Sequence, residues 1–220
     1  MIEKLRIALL TLFLCAVPGA GWAADSGDTA TSEALTWSDF GFVLQAPSSG
    51  AFSGGVGAAT LDLDGDGYVL YFESPASSTE VPEDCSSQYR IGRATSPDGF
   101  TWTIDEEPAL VPEDDTSYNC SVSQPAVLFD GREWHLFFSM AESSSGSNYS
   151  SGIGWATSPD GVDFTVQQAP LIARNDDTNT SFASAALVDG VIYLTWAEAP
   201  YLKLATLDVD AGDDWVLAED

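Results

Sequence analysis

The chain has 220 residues, of which 45% are hydrophobic, and its 34 acidic and 7 basic residues give a formal net charge of −27. A field of this sign repels nucleic acid and anionic membrane surfaces and attracts cations, so we exclude the first two as partners. The apolar content is too high for a chain kept disordered by its charge. We therefore expect a folded domain with an acidic, solvated surface.

The N-terminus has the features of a secretory signal peptide. Lys4 and Arg6 precede an apolar run over residues 7–17, and Gly21 and Ala23 offer small side chains for cleavage. The run is too short to span a bilayer, which favours a signal peptide over a membrane anchor. We predict a signal peptide over 1–23, a polar linker over 24–34, one domain over 35–220, and a secreted or periplasmic location.

A lone strand is predicted at the start of the domain. The segments LTW (35–37) and VLQAP (43–47) resemble FTVQQAP (164–170), which lies much later in the chain. Because the later segment follows a turn phrase and closes a repeated unit, the early copy predicts an outer strand without its own unit.

Three repeated units follow. The phrase IGRATSPDGFTW (91–102) returns as IGWATSPDGVDF (153–164), and LKLATLDVDAGDDW (202–215) is a looser third copy. Each unit reads as four short strands rich in β-branched and aromatic residues, with Asp-Gly after the first strand and Ser-Pro-Asp-Gly after the third in the two full copies. The first strands are predicted at 58–63, 125–129 and 185–188, the second at 68–72, 134–138 and 192–196, the third at 91–95, 153–157 and 202–206, and the fourth at 102–108, 164–170 and 215–217.

Four-stranded antiparallel units of about 60 residues in tandem predict an all-β fold, a β-propeller with three blades and a lone N-terminal outer strand. A β-sandwich is the alternative, but it does not explain the recurring turn phrase. Closed rings hold about four to eight blades. We therefore expect part of a longer propeller, or an open array that a partner chain completes.

Long connections define the candidate binding face. The turns within the repeated phrases are short and lie on one face, whereas the connections 73–88, 111–123, 140–151 and 173–184 lie on the other. Of the three cysteines, Cys15 lies in the predicted signal peptide, and Cys85 and Cys120 both fall on this face. An even pair in the mature part of an exported chain predicts a disulfide between neighbouring blades. Aromatic rings in or beside these connections offer flat faces for sugars, namely Tyr89, Tyr118, Tyr149 and Phe182.

A calcium-like motif lies in the first hairpin. Asp62, Asp64 and Asp66 are spaced like the first ligands of a calcium loop, and Glu73 falls at the position of the last ligand. Strands flank the motif, and Glu73 is expected at the far end of the second strand, out of reach of the turn. The three aspartates predict a structural calcium site, with a solvated hairpin as the alternative, and no cofactor is expected to be required.

Two phrases resemble the five-bladed propeller glycosidases of the arabinanase, xylosidase and invertase–levanase type. The first phrase is PAVLFDG (125–131), which leads into WHLFF (134–138). The second is ATSPDG with an aromatic residue after it. The resemblance covers most of 35–220. It implies acids at the starts of inner strands, acting as base or nucleophile, acid and pKa modulator. In that family an Asp-Pro commonly opens such a strand, but here Gln124 precedes Pro125, and an amide cannot take a proton at neutral pH.

The acids that remain near the candidate binding face are Glu73, Glu142 and Glu198, all near the ends of second strands. We select Glu142 and Glu198 as catalytic candidates, with a solvated loop acid as the alternative for each. His135, the only histidine, lies inside a predicted strand and is expected to be packed.

Three functions remain open. The first is a secreted glycosidase-like propeller directed at a carbohydrate, in which Gln124 and the loop aromatics bind a glycan or another small neutral ligand and binding is favoured over hydrolysis. The second is an active glycoside hydrolase using the loop glutamates. The third is an exported interaction or scaffold module without sugar chemistry.

Overall fold

The computed structural model describes residues 43–77, 80–85, 87–114, 116–142, 152–174, 179–212 and 214–217. Their regular structure consists of twelve β-strands. These are β1 Gly57–Asp64, β2 Gly67–Pro75, β3 Tyr89–Ser96, β4 Thr103–Ile104, β5 Ser121–Phe129, β6 Trp134–Ala141, β7 Gly152–Ser158, β8 Thr165–Ala173, β9 Thr180–Val188, β10 Val191–Glu198, β11 Tyr201–Asp208 and β12 Val216–Leu217. No helix in these ranges is long and apolar enough to cross a bilayer.

The strands form three consecutive units of four. Within each unit, neighbouring strands pair antiparallel in chain order: β1–β4, β5–β8 and β9–β12. A single parallel pair, Tyr89 with Ser121, joins the first unit to the second. The prediction of an all-β fold built from four-stranded antiparallel units is confirmed.

The hydrophobic core lies between the units as stacked layers. Phe137 and Phe138 are adjacent on β6 and point to opposite sides of the sheet, as successive strand residues do. Phe138 packs in a layer with Val69 and Tyr71 of the first unit. Phe137 packs in a second layer, with residues of β10 and β11 in the third unit. The middle unit is therefore apolar on both faces, which explains why all residues of β7 and nearly all of β6 are buried.

In the second and third units, the aromatic residue at the start of the fourth strand joins its unit to the preceding one. The ring of Phe164 meets that of Tyr71 edge-on at 5.7 Å between centroids. The ring of Trp215 meets those of Phe137 at 5.6 Å and Trp155 at 5.7 Å in the same manner. Such edge-to-face pairs are a favoured aromatic geometry.

The glycine of the Ile-Gly-x-Ala-Thr strand is required by the strand beside it. Gly92 pairs with Phe72, and a Cβ added at Gly92 would lie 2.5 Å from Cζ of that ring. Gly154 has the same relation to Phe138, whose ring an added Cβ would overlap. In the looser third copy, Lys203 takes this position and pairs with Trp196.

The Ser-Pro-Asp-Gly phrase builds a corner. Asp98 Oδ1 accepts hydrogen bonds from the backbone N–H groups of Phe100 at 2.8 Å and Thr101 at 2.7 Å. Ser96 Oγ accepts one from Gly99 N at 2.8 Å. Ser158 and Asp160 repeat this arrangement in the second unit. The bonds from Thr101 and Phe100 lower the pKa of Asp98 to about 2, so its carboxylate serves the turn.

Strand lengths differ from the predicted ones. The outer strand β4 covers only two residues of the predicted 102–108, because after Asp105 the chain bonds to β3 again only where Ala109 and Leu110 donate to the carbonyl of Ile91. Pro108, which precedes that contact, has no N–H to donate. The inner strands β5 and β9 begin earlier than predicted and include the ends of the predicted connections 111–123 and 173–184.

The predicted lone strand is wrong over 43–47, which form no strand. The edge of β11, where an added outer strand would close a ring, already pairs with β12. Leu44 instead packs against the cluster of Phe52 and Phe72, on the open side of the first unit. The predicted signal peptide, the linker and residues 35–42 lie outside the described residues.

Candidate functional site

A disulfide joins Cys85 and Cys120, whose Cα atoms are 5.5 Å apart. Cys85 lies in the connection between β2 and β3, and Cys120 immediately precedes β5. The predicted bond between the first two units is confirmed. Disulfides persist mainly in oxidising compartments, which is consistent with export.

Each inner strand has an irregular register near its start. In β5, Gln124 and Pro125 stand between the pairs Ser123–Ser139 and Ala126–Phe137, and Gln124 has φ of 51°. In β9, Phe182 occupies the corresponding position with φ of 57°. Residues with side chains seldom adopt this left-handed backbone, and such strained positions cluster at functional sites. The two bulges therefore mark a candidate site at the long-connection end of the strands.

Hydrogen bonds join the bulges into one cluster, consisting of Glu73, Gln124, Ser139 and Phe182, which we call the inner-strand cluster. Ser139 Oγ donates to Gln124 Oε1 at 2.7 Å. The Phe182 N–H is shared between Gln124 Oε1 at 3.3 Å and Ser139 Oγ at 3.2 Å. The Gln124 N–H donates to Glu73 Oε2 at 3.0 Å. The cluster thus connects all three units.

These bonds fix the orientation of the Gln124 amide. Its Oε1 faces two donors, so this end accepts, and the Nε2 group is left as the donor end. Glu73 supplies a carboxylate next to it. Phe182 adds an aromatic ring that is 63% exposed. The cluster therefore presents an acceptor, a donor and a flat apolar surface close together.

Glu73 is the acid of this cluster. It lies on β2 opposite Gly57, at the far end from the Asp64–Gly67 pair, which confirms that it cannot join the first hairpin turn. Burial raises the pKa of its carboxyl, and the Gln124 N–H counteracts this in part. The side chain is half-buried. Ser139 and Ala197 hold the corresponding positions in the other units, and the phrases YFE, FFS and TWA could have revealed this equivalence from the sequence.

The two selected glutamates occupy different positions. Glu142 follows β6 and is exposed. Glu198 ends β10, pairs with Thr180 and Tyr201, and comes one residue after Ala197. Because successive strand residues point to opposite faces, Glu198 does not reproduce the orientation of Glu73. A catalytic role for Glu142 and Glu198 stays a prediction.

The four aromatic candidates have different environments. Phe182 belongs to the inner-strand cluster. Tyr89 begins β3 and is half-buried. Tyr118 is only 5% exposed and its ring packs edge-on against Phe138, so it offers no face to a ligand and the structure corrects its selection. Burial, together with Glu113, raises the pKa of Tyr118 to about 12. Tyr149 lies outside the described residues.

The three aspartates of the calcium-like motif have protein partners. Asp62 accepts hydrogen bonds from the backbone of Leu63 at 2.7 Å and of Phe129 at 3.1 Å. Asp64 lies 3.4 Å from Arg93. In the ranges that the structure describes, no group of three or more His, Cys, Asp and Glu residues is arranged to hold a metal ion. Calcium binding by Asp62, Asp64 and Asp66 stays a prediction without geometric support.

His135 is packed, as predicted, with only 3% of its surface exposed. Trp155 Nε1 donates to its Nδ1 at 3.2 Å, so the proton is on Nε2, which lies 3.2 Å from Asp130 Oδ2. The ring also stacks on Trp155. These contacts join β6 to β7 and to the turn after β5 within the second unit, and they leave His135 no access to a substrate.

No protein-family model matches the sequence, and no curated protein shows significant sequence similarity to it. Solved structures do resemble the fold. A glycosyl hydrolase from Bacteroides ovatus is 18% identical with a TM-score of 0.59, covering 77% of this chain and 50% of its own. A family 117 glycoside hydrolase from the marine bacterium Zobellia galactanivorans is 20% identical with a TM-score of 0.57. The match covers 71% of this chain and 53% of the hydrolase.

An exo-beta-1,3-galactanase from Phanerochaete chrysosporium, in complex with beta-1,3-galactotriose, is 19% identical with a TM-score of 0.52, covering 76% of this chain and 39% of its own. This chain thus spans about half the length of the solved structures that it resembles or less. Identities this low establish the fold alone. The chain has the fold of the glycosidase-like β-propellers.

Proposed function

We propose that this chain is an exported, carbohydrate-directed protein that binds a glycan at the inner-strand cluster and does not hydrolyse it. The single observation that carries the proposal is the hydrogen-bonded group of Glu73, Gln124, Ser139 and Phe182 at the starts of the inner strands. The solved structures with this fold include glycoside hydrolases, which supports a sugar ligand.

The chemistry of the cluster suits a sugar ring. Sugars present hydroxyl groups that both donate and accept, and they have apolar faces that stack on aromatic rings. Glu73 accepts, the Gln124 Nε2 group donates, and the Phe182 ring is exposed. The strained backbone at positions 124 and 182 holds these groups in one place.

Binding is favoured over hydrolysis because the cluster has one carboxyl group. Glycoside hydrolysis uses two carboxyl groups, one on each side of the scissile bond. The backbone N–H of Gln124 donates to Glu73, the one acid of the cluster. The side-chain amide of Gln124 cannot act as the second carboxyl group. Among the described residues of this cluster, Glu73 is the only acid.

The test compares sugar binding by the native protein and two phenylalanine variants. A screen of neutral oligosaccharides, followed by calorimetry, is expected to give saturable binding. Phe182→Ala is expected to weaken it by about 3- to 10-fold, the range for loss of one aromatic contact. Phe100→Ala is the matched control, since Phe100 is 57% exposed at the short-turn end and should leave the affinity unchanged.

Two outcomes contradict the proposal. If no oligosaccharide binds, the chain is better explained as an interaction module. If both variants weaken binding equally, the sugar binds somewhere other than the inner-strand cluster.

A second candidate is hydrolysis with Glu73 as the acid. The observation that favours it is the raised pKa of this half-buried carboxyl, since a general acid must hold its proton near the working pH. Hydrolysis of aryl glycosides that Glu73→Gln slows by about 100-fold or more would support this function. Turnover unaffected by Glu73→Gln would assign the chemistry to another acid, with Glu142 and Glu198 as the next variants.

A further inference from the structure

We propose that the glycan bound at the inner-strand cluster carries a protonated amine, as in a glycan with free amino sugars. The inference rests on the proposed glycan binding and adds the charge class of the ligand. It follows from the state of Glu73, from the pairing of nearby cations and from the charge of the whole chain.

Within the described residues, the Glu73 carboxylate is hydrogen-bonded through one of its two oxygens. Its Oε2 accepts the Gln124 N–H, and this is the hydrogen bond that the side chain receives within the described ranges. The residue is half-buried, so a ligand that covers it removes much of the remaining water. Burying a carboxylate is costly unless a hydrogen-bonded counter-charge replaces the water. An ammonium group supplies that charge, whereas a hydroxyl group supplies only a hydrogen bond.

Both arginines of β3, the strand next to Glu73, are already paired. Arg90 lies on β3 and contacts Glu80 at 3.0 Å. Arg93 contacts Asp105 at 2.8 Å and Asp64 at 3.4 Å. None of the ion pairs given for the described residues includes Glu73, and we assign its counter-charge to the ligand.

The net charge of the chain and the Phe182 ring both favour a positively charged ligand over a neutral or anionic one. A chain with a formal net charge of −27 raises the local concentration of cations and repels anions. The exposed Phe182 ring adds a face on which a sugar bearing a positive charge can also rest. Uronic and sulfated sugars would place a second negative charge beside Glu73, and we expect them not to bind.

The experiment measures the affinity of three matched oligosaccharides at a pH where amines are protonated. The probes are glucosamine oligomers, N-acetylglucosamine oligomers of the same length and linkage, and oligomers of a uronic acid. The glucosamine oligomer is expected to bind about 10-fold more tightly than its acetylated counterpart, and the uronic acid not to bind. Glu73→Gln is expected to abolish the difference between the first two, and Glu107→Gln, an exposed control on the outer part of the first unit, to preserve it.

Each outcome has one meaning. Equal affinity for the free and acetylated oligomers overturns the inference while leaving the proposed glycan binding intact, provided that Phe182→Ala weakens both. A preference that survives Glu73→Gln also overturns it, because the general acidic field would then be the cause. Failure of every sugar, neutral ones included, overturns the proposed function itself.

Discussion

At the scale of single residues, the inner-strand cluster combines groups that are unfavourable for folding. Gln124 and Phe182 adopt a left-handed backbone conformation, which costs about 1–2 kcal/mol for a residue with a side chain. Phe182 also leaves most of its ring in water. Glu73 holds a carboxylate in a half-buried position that raises its pKa. These features have a common explanation if the cluster binds a ligand.

Glu73→Gln is expected to stabilise the protein in a pH-dependent way. Because the pKa of Glu73 is raised by folding, the native protein loses stability as pH rises from the ordinary glutamate value through the raised one. The variant lacks this loss. Denaturant unfolding should show a gain for the variant at neutral pH and none at a pH below the ordinary pKa of glutamate.

The control is Glu107→Gln, which replaces an exposed acid. A gain for Glu73→Gln that persists unchanged in acid would mean that the carboxyl charge is not the cause.

Little of this cluster could be predicted from the sequence. The sequence marks Gln124 through the proline that follows it and Phe182 through its aromatic ring. Their contact depends on bulges in β5 and β9, and neither bulge carries the glycine that commonly signals a left-handed backbone. Glu73 is far from Gln124 and Phe182 in the sequence, so no local pattern indicates that the three residues meet.

At the scale of the strands, the repeated phrases were predictive because their signals are local. The Ser-Pro-Asp-Gly corners, the order of strands in each unit and the aromatic second strands all follow from neighbours within a few residues. The outer strand β4 was predicted less well than β8 and β12. Its pairing with β3 is interrupted after Asp105 and resumes only at Ala109 and Leu110, and the alternation of residues in this segment does not show the interruption.

Gly154→Ala is expected to destabilise the protein by about 1–3 kcal/mol, because the added methyl group overlaps the Phe138 ring. Denaturant unfolding measures the loss. Combined with Phe138→Leu, which removes the far end of the ring, the same glycine substitution should cost less than it does alone. An equal cost in both backgrounds would show that the ring is not what requires glycine.

At the scale of the whole molecule, stability depends on joints between units. Apolar layers hold the first unit to the second and the second to the third. The disulfide adds a covalent joint between the first two. The residues of the inner-strand cluster come from all three units, so any loosening of the joints should reach the cluster.

Replacement of both cysteines by serine is expected to lower the free energy of unfolding by about 3–4 kcal/mol, the chain-entropy estimate for a bond closing a loop of this size. The two residues are 35 apart in sequence. Denaturant unfolding of the native protein with and without reductant should reproduce the difference, and the variant should not respond to reductant. Native protein that keeps its full stability under complete reduction would contradict this expectation.

The backbone at positions 124 and 182 also bears on how the protein could be engineered. Glycine is the usual replacement for a strained left-handed residue, and at both positions it is expected to raise the melting temperature. It would also delete the amide and the ring that we propose to contact the glycan. If that proposal holds, a search for more heat-resistant variants would tend to select proteins that no longer bind, and a screen at these two positions should measure ligand retention together with melting temperature.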